Sequence, residues 1–164
     1  MKSLRRTIPL LAAIALAAGA CGQRPDPAVG RDFAHYKAQM VSVLPIEQRA
    51  IDANREATEA PGVSDAKYTK AIREKIVPAL EEFGEELSRM RPLTEPVQEL
   101  HRMYLRRIVL LVSGFRELEK AARTGDKALI ASFKGKAAEA KALIEAWNRR
   151  VEEMNKIYKG GKKP

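Results

Sequence analysis

The stretch IASFKGKAAEAKALIEAWNRRVEEMNKIY (130–158) has the most regular hydrophobic pattern in the chain, and this pattern decides the fold class. Apolar residues alternate at spacings of three and four from Ile130 to Tyr158. The spacing puts them on one face of an α-helix and is typical of a coiled-coil seam. The seam consists of Ile130, Phe133, Ala137, Ala140, Ile144, Trp147, Val151, Met154 and Tyr158. The stretch therefore predicts a long amphipathic helix whose apolar face other helices must cover.

A first helical pattern begins near Asp32 and carries an apolar face from Phe33 to Ile51. Pro45 lies inside this pattern. Because proline lacks a backbone donor and clashes with the carbonyl four residues earlier, we expect a kink or break there. Ala60-Pro61-Gly62 should end this helix.

Two more patterns fill the middle of the chain. The second helix should start at Ser64, whose hydroxyl can cap the first turn, and stop before Pro92, with a kink at Pro78. The third should start after Thr94, also a plausible cap, and run to about Thr124. The chain thus contains four helical segments joined by short connections.

Four such helices predict an all-α, antiparallel, up-down-up-down bundle with a left-handed supercoil. Gly125-Asp126 supplies a C-terminal glycine for helix three and an N-cap for helix four. We assign residues 31–159 to the bundle domain and residues 160–164 to a basic tail. In this order the connection between helices two and three lies at the same end as both chain termini.

Composition agrees with one helical domain. The 164-residue chain is 45% hydrophobic, 31% charged and only 5% aromatic, which is typical of a soluble helical protein and not of a disordered one. It has a single cysteine, so no intrachain disulfide can support the fold.

Residues 1–20 have the character of an export signal that is removed from the mature protein. Lys2, Arg5 and Arg6 precede an uncharged run, residues 8–20, that is too short to span a bilayer. Ala18-Gly19-Ala20 stands directly before Cys21. This arrangement resembles the lipobox of bacterial lipoproteins, which implies cleavage before Cys21 and acylation of that cysteine, palmitate included. The same small residues also suit ordinary A-x-A-type cleavage, which stays the alternative.

Residues 21–30 read as a short tether behind the lipidated cysteine. The segment GQRPDPAVG (22–30) has two prolines and two glycines, and fully extended it reaches roughly 30 Å. The domain should therefore stay close to the membrane. Because Gly22 and not an acidic residue follows Cys21, the lipoprotein resemblance implies the periplasmic face of the outer membrane.

The predicted topology gathers basic residues at the membrane-facing end. Removing the signal lowers the formal net charge from +9 to +6. The main members of the cluster are Arg89, Arg91, Lys156, Lys159, Lys162 and Lys163. One hypothesis is contact with anionic lipid headgroups; the other is a solvated surface with a frayed tail. Nucleic acid is not an expected partner, because export separates the chain from DNA and RNA and no recognition motif is present.

No motif indicates catalysis, a metal site or a cofactor. His35 and His101 have no Cys, Asp or Glu at ligand spacing, and the Glu-x-x-His motif of di-iron bundles is missing. Haem held non-covalently by Met40 and His101 is the one cofactor alternative left open. The acidic run is interpreted as a solvated face, with a partner-binding or divalent-ion surface as the alternative; it comprises Glu81, Glu82, Glu85 and Glu86.

We therefore expect a non-catalytic, lipid-anchored envelope protein that binds another envelope protein or serves as an accessory subunit. The alternative is a carrier or sensor that holds a small apolar ligand between the helices, since Pro45 and Pro78 can open a bundle locally. An enzyme ranks third. An exposed apolar patch on helix one or four would favour the partner surface, whereas a polar cavity at His101 would favour an enzyme.

Overall fold

A computed structural model describes residues 25–59 and 64–159, the Lys159 side chain excepted, and shows four helices and no strand within those ranges. The helices are α1 (Pro27–Glu59), α2 (three consecutive segments, Asp65–Ala71, Ile72–Ile76 and Val77–Arg89), α3 (Glu95–Thr124) and α4 (Lys127–Lys159). The predicted all-α helical bundle is confirmed. The signal, Cys21 and the tail 160–164 lie outside the described residues.

The start of α1 corrects the predicted tether. The helix begins at Pro27, five residues before the expected start near Asp32, so residues 27–30 are helical. Asp26 explains this start, because its carboxylate accepts the Ala28 backbone N–H at 2.8 Å. Pro27 fits the first helical position, where the missing donor has no helical partner and φ already suits the helix.

The two internal prolines have different consequences. The expected break at Pro45 is absent, since α1 runs without interruption on both sides of it. Before Pro78, the turn Ile72–Ile76 is π-helical, and the Val77 N–H donates to the Ile72 carbonyl. A π-turn adds one residue to the helix and is found often at functional sites. The helix is therefore π-helical just ahead of Pro78, while the kink expected at Pro78 stays a prediction.

Three of the four predicted caps are confirmed. The Ser64 hydroxyl accepts a backbone N–H of the first turn of α2, and Asp126 accepts the Ala128 N–H at 2.8 Å at the start of α4. Gly125 ends α3 with φ of 71°, in the left-handed region that glycine adopts without steric cost. Thr94 is the exception: its side chain makes no cap bond on α3, and its hydroxyl donates to Asp32 at 2.7 Å.

Along each pair of neighbouring helices, contacts move forward in one helix as they move backward in the other, so the two helices lie antiparallel. Examples are Arg49–Glu82 and Glu56–Lys75 (α1 and α2), Gly84–Ile108 and Glu81–Arg116 (α2 and α3), Arg106–Glu139 and Glu117–Lys136 (α3 and α4), and Gly30–Tyr158 and Lys37–Asn155 (α1 and α4). The up-down-up-down topology of the whole bundle and its left-handed twist stay predictions.

The core is built mainly by α1, α2 and α3, although α4 has the most regular seam in the sequence. Among the described side chains of α4, only Ala140 and Met154 are buried, and the seam residues Phe133, Ile144 and Trp147 are half-buried. The reason is that α4 packs chiefly against α3 and touches α1 little. Several α4 side chains nevertheless pack against the edge of the core, among them Ile144, Trp147 and Val151.

Candidate functional site

The structure brings three of the predicted basic residues to one end of the bundle. Asp32, near the start of α1, binds the α2–α3 connection, and Gly30 packs on Tyr158 near the end of α4. Arg89 and Arg91 lie at that connection, and Lys156 lies on the last turns of α4. The other predicted members fall outside the described part: the side chain of Lys159 and both Lys162 and Lys163.

Both arginines at this end are already engaged within the protein. Arg89 forms an ion pair with Glu86, and Arg91 donates to the backbone carbonyls of Ser88 and Met90. Beside them, Leu93 is 81% exposed, an unusual position for a large apolar side chain. The end thus combines cations with an exposed leucine, and its contact with anionic lipid stays a prediction.

Asp32 fixes the geometry of this end. One carboxylate oxygen accepts the backbone N–H groups of Leu93 and Thr94 at 3.0 and 2.8 Å. Burial raises the pKa of Asp32, but the bonds from Thr94 and Leu93 outweigh it, so the net pKa lies below the usual value. Asp32 therefore holds the α2–α3 connection and the N-cap residue Thr94 in place, rather than bonding the first turn of α3 itself.

A buried polar network crosses the middle of the core. The Tyr104 hydroxyl donates to Glu47 at 2.7 Å, and Arg107 forms an ion pair with the other oxygen of the same carboxylate. The Glu47 and Arg107 side chains are only 5% and 14% exposed. Burial, and next the charge of Glu47, raise the pKa of Tyr104. Sequence analysis missed this network, although Glu47 lies on the apolar face of α1, four residues after Val43.

Next to this network lies a set of buried polar aromatic residues. Tyr36 packs edge-on against His101, and Tyr104 does the same against Trp147. Burial raises the pKa of Tyr36 to about 12, and burial, with the nearby charge of Arg91, lowers the pKa of His101. Met40 and His101, the proposed haem ligands, are both buried in packed surroundings, and neither lines a cavity described below.

An apolar strip of α1 is left exposed on the side that faces α4. Lys37 bonds to Asn155 of α4, and residues at spacings of three and four from Lys37 share its side of α1. Three apolar residues follow on that side: Val41, Leu44 and Ile51 are 69%, 40% and 46% exposed. The three side chains form an exposed apolar strip on α1.

A cavity of about 190 Å³ opens beside this strip and is lined by α1, α2 and α3 alone. Its apolar walls include Ile51, Leu80 and Phe115, while Glu47 and Arg107 supply its charged wall. Ile76, the last residue of the π-turn, also lines it. No α4 residue is among the lining residues, so the cavity lies between α1, α2 and α3.

The acidic run of α2 forms ion pairs with three different helices. Glu81 pairs with Arg116 of α3, Glu82 with Arg49 of α1, and Glu86 with Arg89 of α2 itself. Glu82 also lines a charged cleft of about 450 Å³ between α1 and α2. All three pairs are exposed, so each contributes little to folding stability. The two that join different helices help to specify which helices lie side by side.

Comparisons with protein-family models, curated proteins and solved structures found no match for this chain. Across residues 25–59 and 64–159, no group of three or more His, Cys, Asp or Glu side chains is placed to hold a metal ion. No helix in those same ranges has the length and hydrophobicity that a bilayer crossing needs. The candidate site that the described residues offer is the exposed α1 strip of Val41, Leu44 and Ile51 with the adjoining cavity.

Proposed function

We propose that this chain is a non-catalytic protein-interaction module of the bacterial cell envelope, held at the periplasmic face of the outer membrane by acylated Cys21. Its docking surface is the exposed α1 strip of Val41, Leu44 and Ile51 together with the adjoining cavity. The membrane assignment rests on the lipobox-like sequence before Cys21. Since α1 begins at Pro27, residues 21–26 are the only tether, and they reach roughly 20 Å at full extension.

The observation that carries the proposal is the exposed apolar strip on α1. Large apolar side chains that line up along one helix face, beside a cavity, are typical of a surface that a partner covers. Elsewhere the bundle closes its helix boundaries with ion pairs, such as Arg49–Glu82 and Arg106–Glu139. On the α1 strip, exposed apolar side chains stand in place of such charged pairs.

The polar groups nearest the cavity support a binding role over a catalytic one. Glu47 accepts from both Tyr104 and Arg107, so its two oxygens are used inside the protein. A general base needs a free acceptor near its substrate. The network is therefore better suited to holding α1 and α3 in place than to proton transfer.

The proposal is tested on native membranes with three variants of the chain. Cys21→Ala removes the tether, Leu44→Ser/Ile51→Asn makes the docking surface polar, and Val109→Ser changes an apolar residue of α3 that is 66% exposed. Mass spectrometry of the wild type should find acylated Cys21 as the first residue. Envelope proteins that co-purify with the wild type and with Val109→Ser should be lost with Leu44→Ser/Ile51→Asn. An unmodified N-terminus, or unchanged co-purification, would refute the proposal.

A second candidate function, a carrier of a small apolar ligand, is favoured by the 190 Å³ cavity and by the π-turn beside it. A cavity of this size accepts only a small molecule or part of a larger one. Native mass spectrometry of the protein extracted from membranes separates the two functions. A bound small molecule that is lost when Ala50→Leu fills the cavity would favour the carrier; its absence would favour the interaction module.

A further inference from the structure

Resting on the proposed membrane tether, we propose that one end of the bundle lies on the lipid surface, with Leu93 inserted among the headgroups and Arg31 against lipid phosphate. This end, called the tether end below, consists of the first turns of α1 (27–35) and the α2–α3 connection (90–94). The bundle then stands upright on the membrane. Three observations carry the inference: where the tether joins the domain, the exposure of Leu93, and the cleft that Leu93 shares with Arg31.

The tether joins the domain beside the α2–α3 connection. Because α1 begins at Pro27, residues 21–26 are all that separates the domain from the lipid on Cys21, and they reach roughly 20 Å at full extension. In the second turn of α1, Asp32 accepts the backbone N–H groups of Leu93 and Thr94. The tether therefore holds both parts of the tether end close to the bilayer.

Leu93 supplies the apolar contact at this end. It is 81% exposed, the highest value among the large apolar side chains of the described residues. Its N–H donates to Asp32 at 3.0 Å, so its backbone is already ordered and little conformational entropy is lost when the side chain inserts. The α3–α4 connection, at the other end of α3, consists of Gly125 and Asp126. Of these two connections, only the one at the tether end has an apolar side chain to bury in lipid.

A cleft of about 310 Å³ lies between Leu93 and the first turns of α1. Arg31 and His35 line it on the α1 side, and Leu93 and Thr94 line it on the other. Asp32 also lines it, but one of its carboxylate oxygens accepts the N–H groups of Leu93 and Thr94 and the Thr94 hydroxyl. An apolar side chain and a cation thus stand on opposite sides of one small opening.

Arg31 is the cation of the cleft that is available to an anion. It is exposed and forms no ion pair within residues 25–59 and 64–159, whereas Arg89 at the same end is paired with Glu86. A guanidinium binds phosphate oxygens through two parallel N–H groups, so Arg31 can bind a headgroup phosphate without giving up a bond inside the protein.

The combination of Leu93 and Arg31 fits a bilayer surface better than a free anion. At that surface, acyl chains lie directly below the phosphates, so one protein end can bury an apolar side chain and pair a cation at the same time. Inorganic phosphate would use Arg31 alone and leave Leu93 exposed. The contact can be weak and still form, because the tether makes it intramolecular.

The upright orientation sets the height of the docking surface. Along α1, the distance from Pro27 is about 20 Å to Val41 and about 35 Å to Ile51. The apolar strip then lies at that height above the lipid, where a partner domain can reach it and headgroups cannot. The membrane contact and the docking surface are therefore two separate sites on one molecule.

The orientation is tested with the acylated chain from native membranes, reconstituted in nanodiscs of phosphatidylcholine and phosphatidylglycerol. A photo-crosslinking amino acid replaces Leu93, Leu44 or Val109 in separate proteins, the last two being 40% and 66% exposed. After irradiation, mass spectrometry measures the share of each protein that carries a phospholipid. Lipid adducts should form at position 93 and not at positions 44 and 109. No lipid adduct at position 93, or equal yields at positions 93 and 109, would overturn the inference.

The roles of the two residues are tested without the tether, by binding of the Cys21→Ala chain to vesicles of the same lipids. Leu93→Ser should weaken binding about tenfold, since the side chain is exposed and its loss leaves the fold intact. Arg31→Gln should weaken it about fivefold, and Lys120→Gln, which removes an exposed cation near the end of α3, less than about twofold. Inorganic phosphate at matched ionic strength should not displace the chain. No binding, equal effects of Arg31→Gln and Lys120→Gln, or displacement by phosphate would overturn the headgroup contact.

The outcomes separate this inference from the proposed function. If Cys21 is acylated but position 93 gives no lipid adduct, the tether stands and the membrane contact is wrong. If Cys21 is unmodified but the Cys21→Ala chain binds vesicles through Leu93 and Arg31, the contact stands and the tether is wrong. Lipid adducts at position 44 would mean that the bundle lies on its side, which would refute both the upright orientation and the docking surface.

Discussion

The buried ion pair between Glu47 and Arg107 gives the sharpest prediction about stability. Glu47→Ala removes the carboxylate that accepts from Tyr104 and from Arg107. It leaves Arg107, whose side chain is 14% exposed, without its counter-ion, and it leaves a buried hydroxyl without an acceptor. Removing one partner of a buried pair typically costs about 3–5 kcal/mol of folding free energy. We expect a loss in that range for Glu47→Ala.

The cost of leaving Arg107 without its counter-ion can be measured separately from the net contribution of the Glu47–Arg107 pair to folding stability. Replacing both partners, as Glu47→Leu/Arg107→Met, removes the desolvated charges together and leaves only the Tyr104 hydroxyl without its acceptor, so it should cost less than Glu47→Ala, about 1–3 kcal/mol. Arg49→Ala is the matched control, because Arg49 and Glu82 form an exposed pair with side chains 59% and 50% accessible. That change should cost at most about 1 kcal/mol.

The assay is urea unfolding of the four proteins, followed by circular dichroism, with the slope m compared to check that unfolding stays two-state. A loss below about 1 kcal/mol for Glu47→Ala would refute the buried network. A double variant as unstable as Glu47→Ala would refute the reasoning that an unpaired buried charge causes the loss.

Three further predictions concern the end of the bundle where α2 meets α3. Asp32→Ala should lower stability by about 1–2 kcal/mol at pH 7, because two backbone N–H groups of the α2–α3 connection lose their acceptor. The difference from wild type should shrink as pH falls below about 4, because the lowered pKa of Asp32 means that its carboxylate is protonated only there; urea unfolding at several pH values checks both expectations. The pKa of His101 is lowered in the folded protein, so below about pH 6.5 the imidazole is protonated more readily in the unfolded chain. The wild type should therefore lose stability as pH falls from about 6.5, and His101→Phe should remove that part of the pH dependence. If the exposed end contacts anionic lipid, the triple variant Leu93→Ser/Arg89→Gln/Arg91→Gln should bind anionic vesicles more weakly. Each arginine near the membrane surface contributes about 1 kcal/mol, so unchanged binding would refute the contact.

The helices could be predicted from hydrophobic spacing, because each must turn one apolar face inward. The start of α1 was wrong because residues 22–30, rich in glycine and proline, were interpreted as linker. The correct signal was local: Asp26 followed by Pro27 is an N-cap and first-turn pair. The composition of the nine-residue segment suggested a linker, whereas two residues within it, Asp26 and Pro27, form the start of a helix.

The candidate site was harder to predict, for a physical reason. Periodicity shows which face of a helix is apolar, but it cannot show how many neighbours cover that face. The α4 seam from Ile130 to Tyr158 is regular, yet most of its described side chains are half-buried, because α4 packs chiefly on one helix. The exposed α1 strip and the cavity beside it depend on how the helices are arranged and have no sequence signature of their own. Glu47 was overlooked because charged residues are usually placed on the solvent side, even when their position falls within an apolar face.

The most direct test of the docking surface is site-specific photo-crosslinking in the native bacterium. Ile51, or Val109 as the control, is replaced by a photo-crosslinking amino acid in the full chain, with Cys21 either intact or changed by Cys21→Ala. We expect an adduct with another envelope protein at position 51 only, and we expect Cys21→Ala to abolish that adduct. No adduct at position 51, or the same adduct at position 109, would contradict the claim that this chain is a tethered module that binds through α1.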